Sequence, residues 1–320
     1  MTYRTLGRTG LQVSLVGMGT GGGADPLGQK SGWPEAKAHA LLHRAYDLGI
    51  NFFDTAPGYM DSEVILGRAF KNLPREKIVL STKIPLAGGM PGESMKIMRA
   101  DEIETAVDTS LRRLQTSYLD LLLIGVSGPE HLDLVLNEHI PVLQRLQRSG
   151  KIRFLGSSEL SRSDGAHTWL QAILPHGVLD VAMVAHNMIN QSAQRSVFPL
   201  CQQMNLGVIN MFTVRRVFGT AGRLPEVIRD LKQRGLIAPD AIEDDQPLSW
   251  LLEDGVVESI IEAAYRYAAY TDGVTTVMNG ANSIELLEQN VRSIHKGPLP
   301  EGVIEKLGSI FGGVAEAIGN

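Results

Sequence analysis

The chain repeats one pattern along most of its length: a short apolar run is followed by a segment in which apolar residues recur at helical spacing. The runs are nearly continuous and not alternating, which is typical of parallel strands buried on both faces. The pattern gives eight strand-then-helix units. The strand-like runs lie at residues 15–18, 51–54, 78–82, 119–124, 152–155, 178–184, 208–211 and 274–278.

Helical spacing between these runs predicts the helices. We expect them at residues 34–49, 62–70, 101–114, 138–148, 164–173, 192–204 and 283–293, with further helices at 224–232, 256–270 and 300–319. The alternation of strand-like and helix-like segments becomes irregular over residues 212–272, which we interpret as an insertion between the seventh and eighth strands.

Eight such units, with no linker rich in proline, serine or glycine, predict one α/β domain over residues 1–320, folded as a closed (β/α)8 TIM barrel. Residues 3–18 predict an N-terminal β-hairpin that leads into the first strand, because apolar residues flank a Gly-Arg-Thr-Gly turn. The alternative is an open doubly wound sheet. It is disfavoured because no Gly-x-Gly-x-x-Gly turn follows an early strand.

The composition is that of an ordinary globular protein: 43% of residues are apolar, 20% are charged and the net charge is −5. This charge gives no electrostatic reason to expect nucleic acid or an anionic membrane as a partner. The chain opens without a signal-peptide run, no later run approaches transmembrane length, and Cys201, the only cysteine, cannot form an intrachain disulfide. We therefore expect a cytoplasmic protein, while its oligomeric state is left open.

Polar residues with acid–base chemistry end two successive strands. The run Asn51-Phe-Phe-Asp-Thr-Ala-Pro-Gly-Tyr59 presents a carboxylate at Asp54 and a phenol at Tyr59, and the next strand ends in Lys83. The loops after the strands of a (β/α)8 barrel line one mouth, so these three groups are predicted to meet there. A neighbouring ammonium lowers the pKa of a phenol from about 10, and a buried carboxylate keeps the lysine charged. Taken singly, they could also be a loop cap, a rim aromatic and a solvated charge.

These residues resemble the aldo-keto reductases, and the resemblance extends from the hairpin to about residue 295. It is carried by residues 51–59 with the Ser62-Glu63 and Leu66-Gly67 pairs that follow, by residues 81–83, and by residues 150–158. The resemblance implies an NAD(P)H-dependent reductase or alcohol dehydrogenase that interconverts a small aldehyde or ketone and its alcohol. It also implies that Tyr59 is the general acid for the carbonyl oxygen, and that Lys83, paired with Asp54, lowers the pKa of Tyr59.

The predicted substrate pocket departs from the family at the end of the fourth strand, which usually carries a histidine that orients the carbonyl group. Gly125 stands there instead and is taken as a substrate contact. His131, a few residues on, is either a surface histidine or a stand-in, and His186, just after the sixth strand, is a further pocket candidate. Loss of a hydrogen-bond donor to the carbonyl group usually lowers the rate of hydride transfer without abolishing it. We therefore expect a reductase with slow turnover or an altered range of substrates.

At the nicotinamide end, the resemblance assigns Ser158 to the carboxamide and places Glu159 where asparagine is common. Met183 replaces a glutamine. Met211 replaces the aromatic residue that stacks on the nicotinamide, a place that Phe212 could take.

Near the phosphates, Arg215 and Arg216 follow the seventh strand and form either a pyrophosphate clamp or a solvated pair. Gly19 and Thr20 follow the first strand, where a glycine-rich run allows close approach of a ligand or a tight bend, and they complete this part of the predicted cofactor site.

After the eighth strand, a helix N-terminus offers an anion site, and the helix continues into a Gln-Asn pair that the family uses against adenine. The predicted contacts are Gly280, Asn282, Ser283, Gln289 and Asn290. Gly280 and Leu286 stand where the family often has a cation for the 2′-phosphate of NADP. NADP(H) is favoured as the family's commoner cofactor, and the missing cations permit NAD(H).

Two other functions compete with the reductase. Gly125 and the atypical nicotinamide contacts are compatible with a dinucleotide-binding sensor or accessory protein that has lost efficient chemistry. A lyase or isomerase without a nicotinamide would make the Gln-Asn pair a coincidence. No metal site is predicted, and the loop positions suggest no Ser-His-Asp arrangement.

Overall fold

A computed structural model describes residues 1–22, 25–88, 96–159, 164–253 and 255–318. The strands are β1 Tyr3–Thr5, β2 Gln12–Ser14, β3 Val16–Gly19, β4 Phe52–Asp54, β5 Val79–Gly88, β6 Lys96–Ile97, β7 Leu119–Val126, β8 Ile152–Glu159, β9 Val181–Ala185, β10 Gly207–Met211 and β11 Thr276–Asn279. The helices are α1 Glu35–Asp47, α2 Ser62–Phe70, α3 Ala100–Leu114, α4 Leu132–Leu134, α5 Ile140–Arg148, α6 Thr168–Ile173, α7 Ala193–Ser196, α8 Phe198–Gln203, α9 Arg215–Gly219, α10 Arg223–Gln233, α11 Trp250–Glu253, α12 Ile260–Tyr270, α13 Ile284–His295 and α14 Glu301–Phe311.

Eight parallel strands form the predicted closed barrel. Their order around the ring is β4-β3-β11-β10-β9-β8-β7-β5, and β4 pairs with β5 to close it. The barrel prediction is therefore confirmed, with β1 and β2 as the N-terminal hairpin and the insertion between β10 and β11.

Alternate residues of each barrel strand pack into two different cores, as the period-two geometry of a strand requires. Phe52, Val79, Leu121 and Val181 belong to a cluster inside the ring. Their chain neighbours, such as Leu80 and Leu122, belong to a larger cluster shared with the helices. This double burial explains why the strands read as continuous apolar runs.

The hairpin closes the end of the barrel where the strands begin. Leu6 and Val13 are fully buried in the inner cluster. Arg4 donates at 2.8 Å to the carbonyl oxygen of Ala269, near the end of α12, and at 2.8 Å to that of Val274, just before β11. The hairpin therefore leaves uncovered the opposite end of the barrel, where the strands finish.

The insertion has a core of its own beside the barrel. Helices α9 to α12 contribute buried residues such as Ile228 and Leu231, and α14 adds Leu307 and Phe311. Along the described ranges, no helix combines the length and the apolar character needed to cross a membrane.

The helices predicted from residues 164 and 256 begin later, at Thr168 and Ile260, and three predicted elements differ further from the structure. The segment 192–204 is two helices, because Pro199 lies in the first turn of α8 and interrupts the ladder. The C-terminal helix ends at Phe311, where Gly312 and Gly313 follow; residues 312–318 form a tail, and Gly319 lies outside the described residues. β5 continues to Gly88 and pairs with β6 in an antiparallel arm.

Candidate active site

Asp54, Lys83 and Tyr59 lie together at the open end of the barrel. Asp54 ends β4, and Lys83 lies on the same inward face of β5 as Val79. The Lys83 ammonium donates to Asp54 Oδ2 and, at 3.0 Å, to the Thr55 carbonyl oxygen. The same Nζ is 5.1 Å from the centroid of the Tyr59 ring. The structure thus brings together the three groups that the sequence singles out.

The electrostatics favour a charged lysine beside the phenol. Burial by itself lowers the pKa of Lys83, but the Asp54 carboxylate and Tyr59 outweigh it and hold this pKa above its usual value. Burial also raises the pKa of Asp54, and the Lys83 ammonium opposes that rise. We take the pair as an ammonium bonded to a carboxylate, because a cation between an acid and a phenol is stabilised from both sides.

Gly21 supports Tyr59 and was not singled out by sequence reasoning. A Cβ atom on Gly21 would lie 2.1 Å from Cδ2 and 2.3 Å from Cγ of the Tyr59 ring. The ring therefore packs on the bare backbone after β3, while Gln29 Nε2 donates to the Tyr59 carbonyl oxygen at 3.1 Å. The glycine-rich run after the first strand indicates in the sequence that another group approaches the backbone closely here, and that group is the Tyr59 ring.

Gly125 occupies the inward row of β7 beside Lys83. It pairs in register with Pro85 of β5 and with Ser158 of β8. His131 does not take the missing histidine's place in the strand: it lies in a short 3-10 helix, and its Nε2 is 3.4 Å from Glu130 Oε1. Its side chain is only 13% exposed, so the prediction of a surface histidine is also inaccurate.

Gly19 and Thr20 lie next to the end of β4. Gly19 pairs in register with Asp54. The Thr20 hydroxyl donates to the Asp54 carbonyl oxygen at 2.9 Å and lies 2.6 Å from Ser62 Oγ. Thr20 is buried and its side chain ties two strand ends to α2, so in this structure its hydroxyl faces the protein and not a ligand.

The residues after β10 form a compact stack. Phe212 has a left-handed φ of 64°, and the Arg215 guanidinium carbon lies 3.7 Å from the centroid of its ring. Arg216 is exposed, and Met211 is half-buried beside the inner cluster. Met183 is buried within that cluster, below the mouth.

Ser158 and Glu159 point to opposite sides of β8. Ser158 is on the inward row, and its hydroxyl bonds to no other described residue. Glu159 turns outward: its Oε2 is 2.7 Å from His167 Nδ1, and its Oε1 accepts the backbone N–H of Ala185 at 2.5 Å. Both carboxylate oxygens are therefore bonded inside the protein, which argues against the direct cofactor contact predicted for Glu159.

His167 links Glu159 to Ser192, a serine–histidine–glutamate arrangement that the sequence does not predict. His167 Nε2 lies 2.8 Å from Ser192 Oγ, and all three side chains are buried. Burial raises the pKa of Glu159, and its hydrogen bond with His167 opposes that rise. The His167 backbone is left-handed at φ 62°. Because the Ser192 hydroxyl is sealed from solvent, we interpret the arrangement as a structural network and not as a nucleophile.

His186 does not line the mouth, so its prediction as a pocket residue is corrected. It is fully buried, with ring centroids of Phe198 at 5.2 Å and Tyr267 at 5.4 Å, and its Nε2 is 3.1 Å from Thr271 Oγ1. Burial lowers the pKa of His186 to about 3, so the imidazole is neutral. The side chain packs β9 against α12.

The predicted adenine end surrounds the start of α13. The Ser283 hydroxyl accepts the Leu286 N–H at 3.1 Å and caps this helix, which follows Gly280 and the exposed Asn282. The other two predicted contacts differ in exposure: Gln289 is exposed, whereas Asn290 is buried and donates to Asn279 Oδ1 at 3.3 Å.

Comparison with known proteins gives consistent results. Residues 16–311 match the model of the aldo/keto reductase family. The L-galactose dehydrogenase of Arabidopsis thaliana is 31% identical over 300 residues, covering 91% of this chain and 87% of that protein. The NADH-specific methylglyoxal reductase of Escherichia coli K12 is 26% identical over 314 residues, covering 91% and 92%. The holo structure of an aldo-keto reductase from Bacillus halodurans superposes with a TM-score of 0.70 at 26% identity, covering 96% of this chain and 95% of that one.

Proposed function

The chain belongs to the aldo/keto reductase family, and we propose that it interconverts a small aldehyde or ketone and the corresponding alcohol with a nicotinamide dinucleotide. The observation that carries this proposal is the contact of Lys83 with both Asp54 and Tyr59 at the end of the barrel where the strands finish. This is also the end at which the active sites of such barrels are found.

In this proposal Tyr59 is the proton donor in reduction and the acceptor in oxidation. When bound, the nicotinamide supplies or accepts the hydride. Lys83 stabilises a phenolate on Tyr59 by its positive charge, which makes the proton easier to release. Asp54 holds that charge in place, and Gly21 sets the position of the ring. The ammonium also stabilises negative charge on the substrate oxygen.

The residues present fit a dinucleotide. At the nicotinamide end, Ser158 presents on the inward row a hydroxyl that bonds to no other described residue. Arg215 and Arg216, after β10, are the candidates for the pyrophosphate. The exposed Gln289 and the residues that open α13 are the candidates for the adenosine part. Glu159 and Thr20 would support this site from behind through the bonds described above, and not by direct contact.

NADP(H) is the favoured cofactor, and NAD(H) is an alternative that gains support from one relative. The Escherichia coli protein is named as NADH-specific. Gly280 and Leu286 likewise offer no cation to a 2′-phosphate. Titration of both dinucleotides by protein fluorescence decides the matter: a preference of about tenfold or more for NADPH refutes the argument from the absent cations.

The proposal is tested by comparing Tyr59→Phe with wild type on a panel of aldehydes, by the loss of NAD(P)H absorbance. We expect kcat to fall by about 10²- to 10⁴-fold, because general acid catalysis is removed, while the dissociation constant of the dinucleotide stays unchanged. Tyr46→Phe, a half-buried tyrosine of α1, is the matched control. Undiminished turnover by Tyr59→Phe would refute the assigned role.

The alternative function, a dinucleotide-binding sensor or accessory protein, is favoured by one observation: glycine at position 125 supplies no side-chain donor to a carbonyl group. Stopped-flow mixing of bound NADPH with a reactive aldehyde separates the two. Single-turnover oxidation of the dinucleotide supports the enzyme. Tight dinucleotide binding with no oxidation supports the sensor.

A further inference from the structure

A place without side-chain cover lies beside Lys83 at the open end of the barrel, because Gly125 has no side chain. It is bounded by Lys83, Pro85, Gly125 and Ser158, and we call it the Gly125 notch. Gly125 lies between Pro85 and Ser158 in the register of the sheet, and Lys83 pairs with the residue two positions before Gly125. Whatever enters the notch is therefore next to the group that polarises Tyr59.

The barrel itself does not require a glycine at this position. At two other inward glycines a Cβ atom would clash: at Gly156 it would lie 2.6 Å from Leu123 Cδ2, and at Gly17 2.7 Å from Phe52 Cδ1. At Gly125 the nearest atoms of the described chain would be Ile84 O and Pro85 Cα, both at 3.7 Å, which is ordinary van der Waals distance. A Cβ atom would thus be tolerated by packing, and among the described residues the glycine leaves space in the mouth.

That space is open to solvent and has two kinds of wall. Pro85 is exposed although it lies on the inward row, and it presents an apolar ring. On the other side Ser158 presents its hydroxyl, and the Lys83 side chain is 16% exposed. An apolar group can rest on the proline and glycine while a carbonyl oxygen remains near the lysine and Tyr59.

We propose that the Gly125 notch receives the second carbon substituent of a ketone, so that Gly125 determines substrate class. This rests on the proposed reductase function. The favoured substrates are ketones whose second substituent is branched or aromatic. Each buried methylene contributes about fourfold in affinity, so a group of two or three carbons in the notch gains about 10- to 60-fold.

The test fills the notch with Gly125→Leu and compares propanal with 3-methyl-2-butanone and acetophenone. Aldehydes are intrinsically more reactive than ketones, so the informative quantity is the change caused by the substitution. We expect kcat/KM for both ketones to fall by about tenfold or more relative to kcat/KM for propanal in the same variant. Gly302→Leu, at an exposed position of α14 where a Cβ meets nothing within 4 Å, controls for the added side chain.

A binding measurement separates failure of this inference from failure of the reductase proposal. Calorimetric titration of acetophenone into the protein saturated with NADP⁺ needs no turnover. A loss of affinity of about tenfold in Gly125→Leu supports the notch even if no compound is reduced. Equal affinity in both proteins, no affinity in either, or an equal fall in kcat/KM for ketones and aldehyde overturns it.

Discussion

Replacing Gly21 with alanine is the sharpest test of how the site is built, because the three atoms nearest to an added Cβ all belong to the Tyr59 ring. The added Cβ would lie 2.1 Å from the Tyr59 ring, whereas ordinary van der Waals contact begins at 3.4 Å. The ring must therefore move by the difference, 3.4 − 2.1 = 1.3 Å, or the loop after β3 must retreat by as much.

A shift of this size is large for a proton donor. A misplacement of about 1 Å costs about 10²-fold in rate, which corresponds to about 2.7 kcal/mol of transition-state stabilisation. The protein as a whole is expected to tolerate the change, since Tyr59 is half-buried and its ring can turn into the open mouth. We expect the free energy of unfolding to fall by no more than about 1 kcal/mol.

The assay measures kcat, KM and dinucleotide affinity for wild type, Gly21→Ala and Gly58→Ala. Gly58 precedes Tyr59 in the same mouth, and a Cβ there meets nothing within 4 Å, so it is a matched control. We expect the loss in Gly21→Ala to appear mainly in kcat. If its kcat/KM stays within about twofold of wild type while its stability is unchanged, the ring position does not govern proton transfer and the reasoning fails.

Three further predictions concern stability and cofactor binding. Burial lowers the pKa of His186 to about 3, so below about pH 6.5 the unfolded chain binds a proton at this residue and the folded chain does not. The free energy of unfolding should therefore be about 2 kcal/mol lower at pH 5 than at about pH 7.5. Urea titrations should show this loss in the wild type and not in His186→Phe. Gly7→Ala should lower the free energy of unfolding by about 2 kcal/mol more than Gly10→Ala. Both glycines have a left-handed φ, but only at Gly7 would a Cβ clash with the backbone, 2.3 Å from the Gly207 nitrogen. Equal losses of stability in the two variants would contradict this. Glu159→Gln should leave the dissociation constant of the dinucleotide, measured by fluorescence titration, within about twofold of wild type, because both oxygens of Glu159 are bonded inside the protein. A tenfold loss of affinity would instead support a direct contact between Glu159 and the dinucleotide.

The fold was predictable because it depends on periodicity. The apolar runs identify strands buried on both faces, and the rule that active sites lie where barrel strands finish places Asp54, Tyr59 and Lys83 in one mouth before any coordinates are known. The end of the C-terminal helix could also have been predicted, because Gly312 and Gly313 terminate a helix and the spacing of apolar residues alone does not show this.

The parts that could not be predicted depend on which way a side chain turns at a strand end. Glu159 and His186 each follow an inward-facing position, and both turn to the helix layer instead of the mouth. Their partners come from other parts of the fold: His167 lies eight residues after Glu159, beyond the end of β8, and Thr271 lies 85 residues after His186. Local pattern carries no information about such pairs, because they are set by how the layers pack and not by spacing along the chain.

The hairpin that closes the start of the barrel also sets an order of events during synthesis. Its β1 residue Arg4 is bonded to the carbonyl oxygens of Ala269 and Val274, and the strand that follows it, β3, needs β11 as one of its two neighbours. Arg4 is synthesised 265 residues before Ala269, so the hairpin waits for a distant part of the chain before it can dock, and contacts of such long range are slow to form. Until then the apolar residues of the hairpin, Leu6 and Val13 among them, lack their final cover and expose apolar surface to aggregation while the ring is still open.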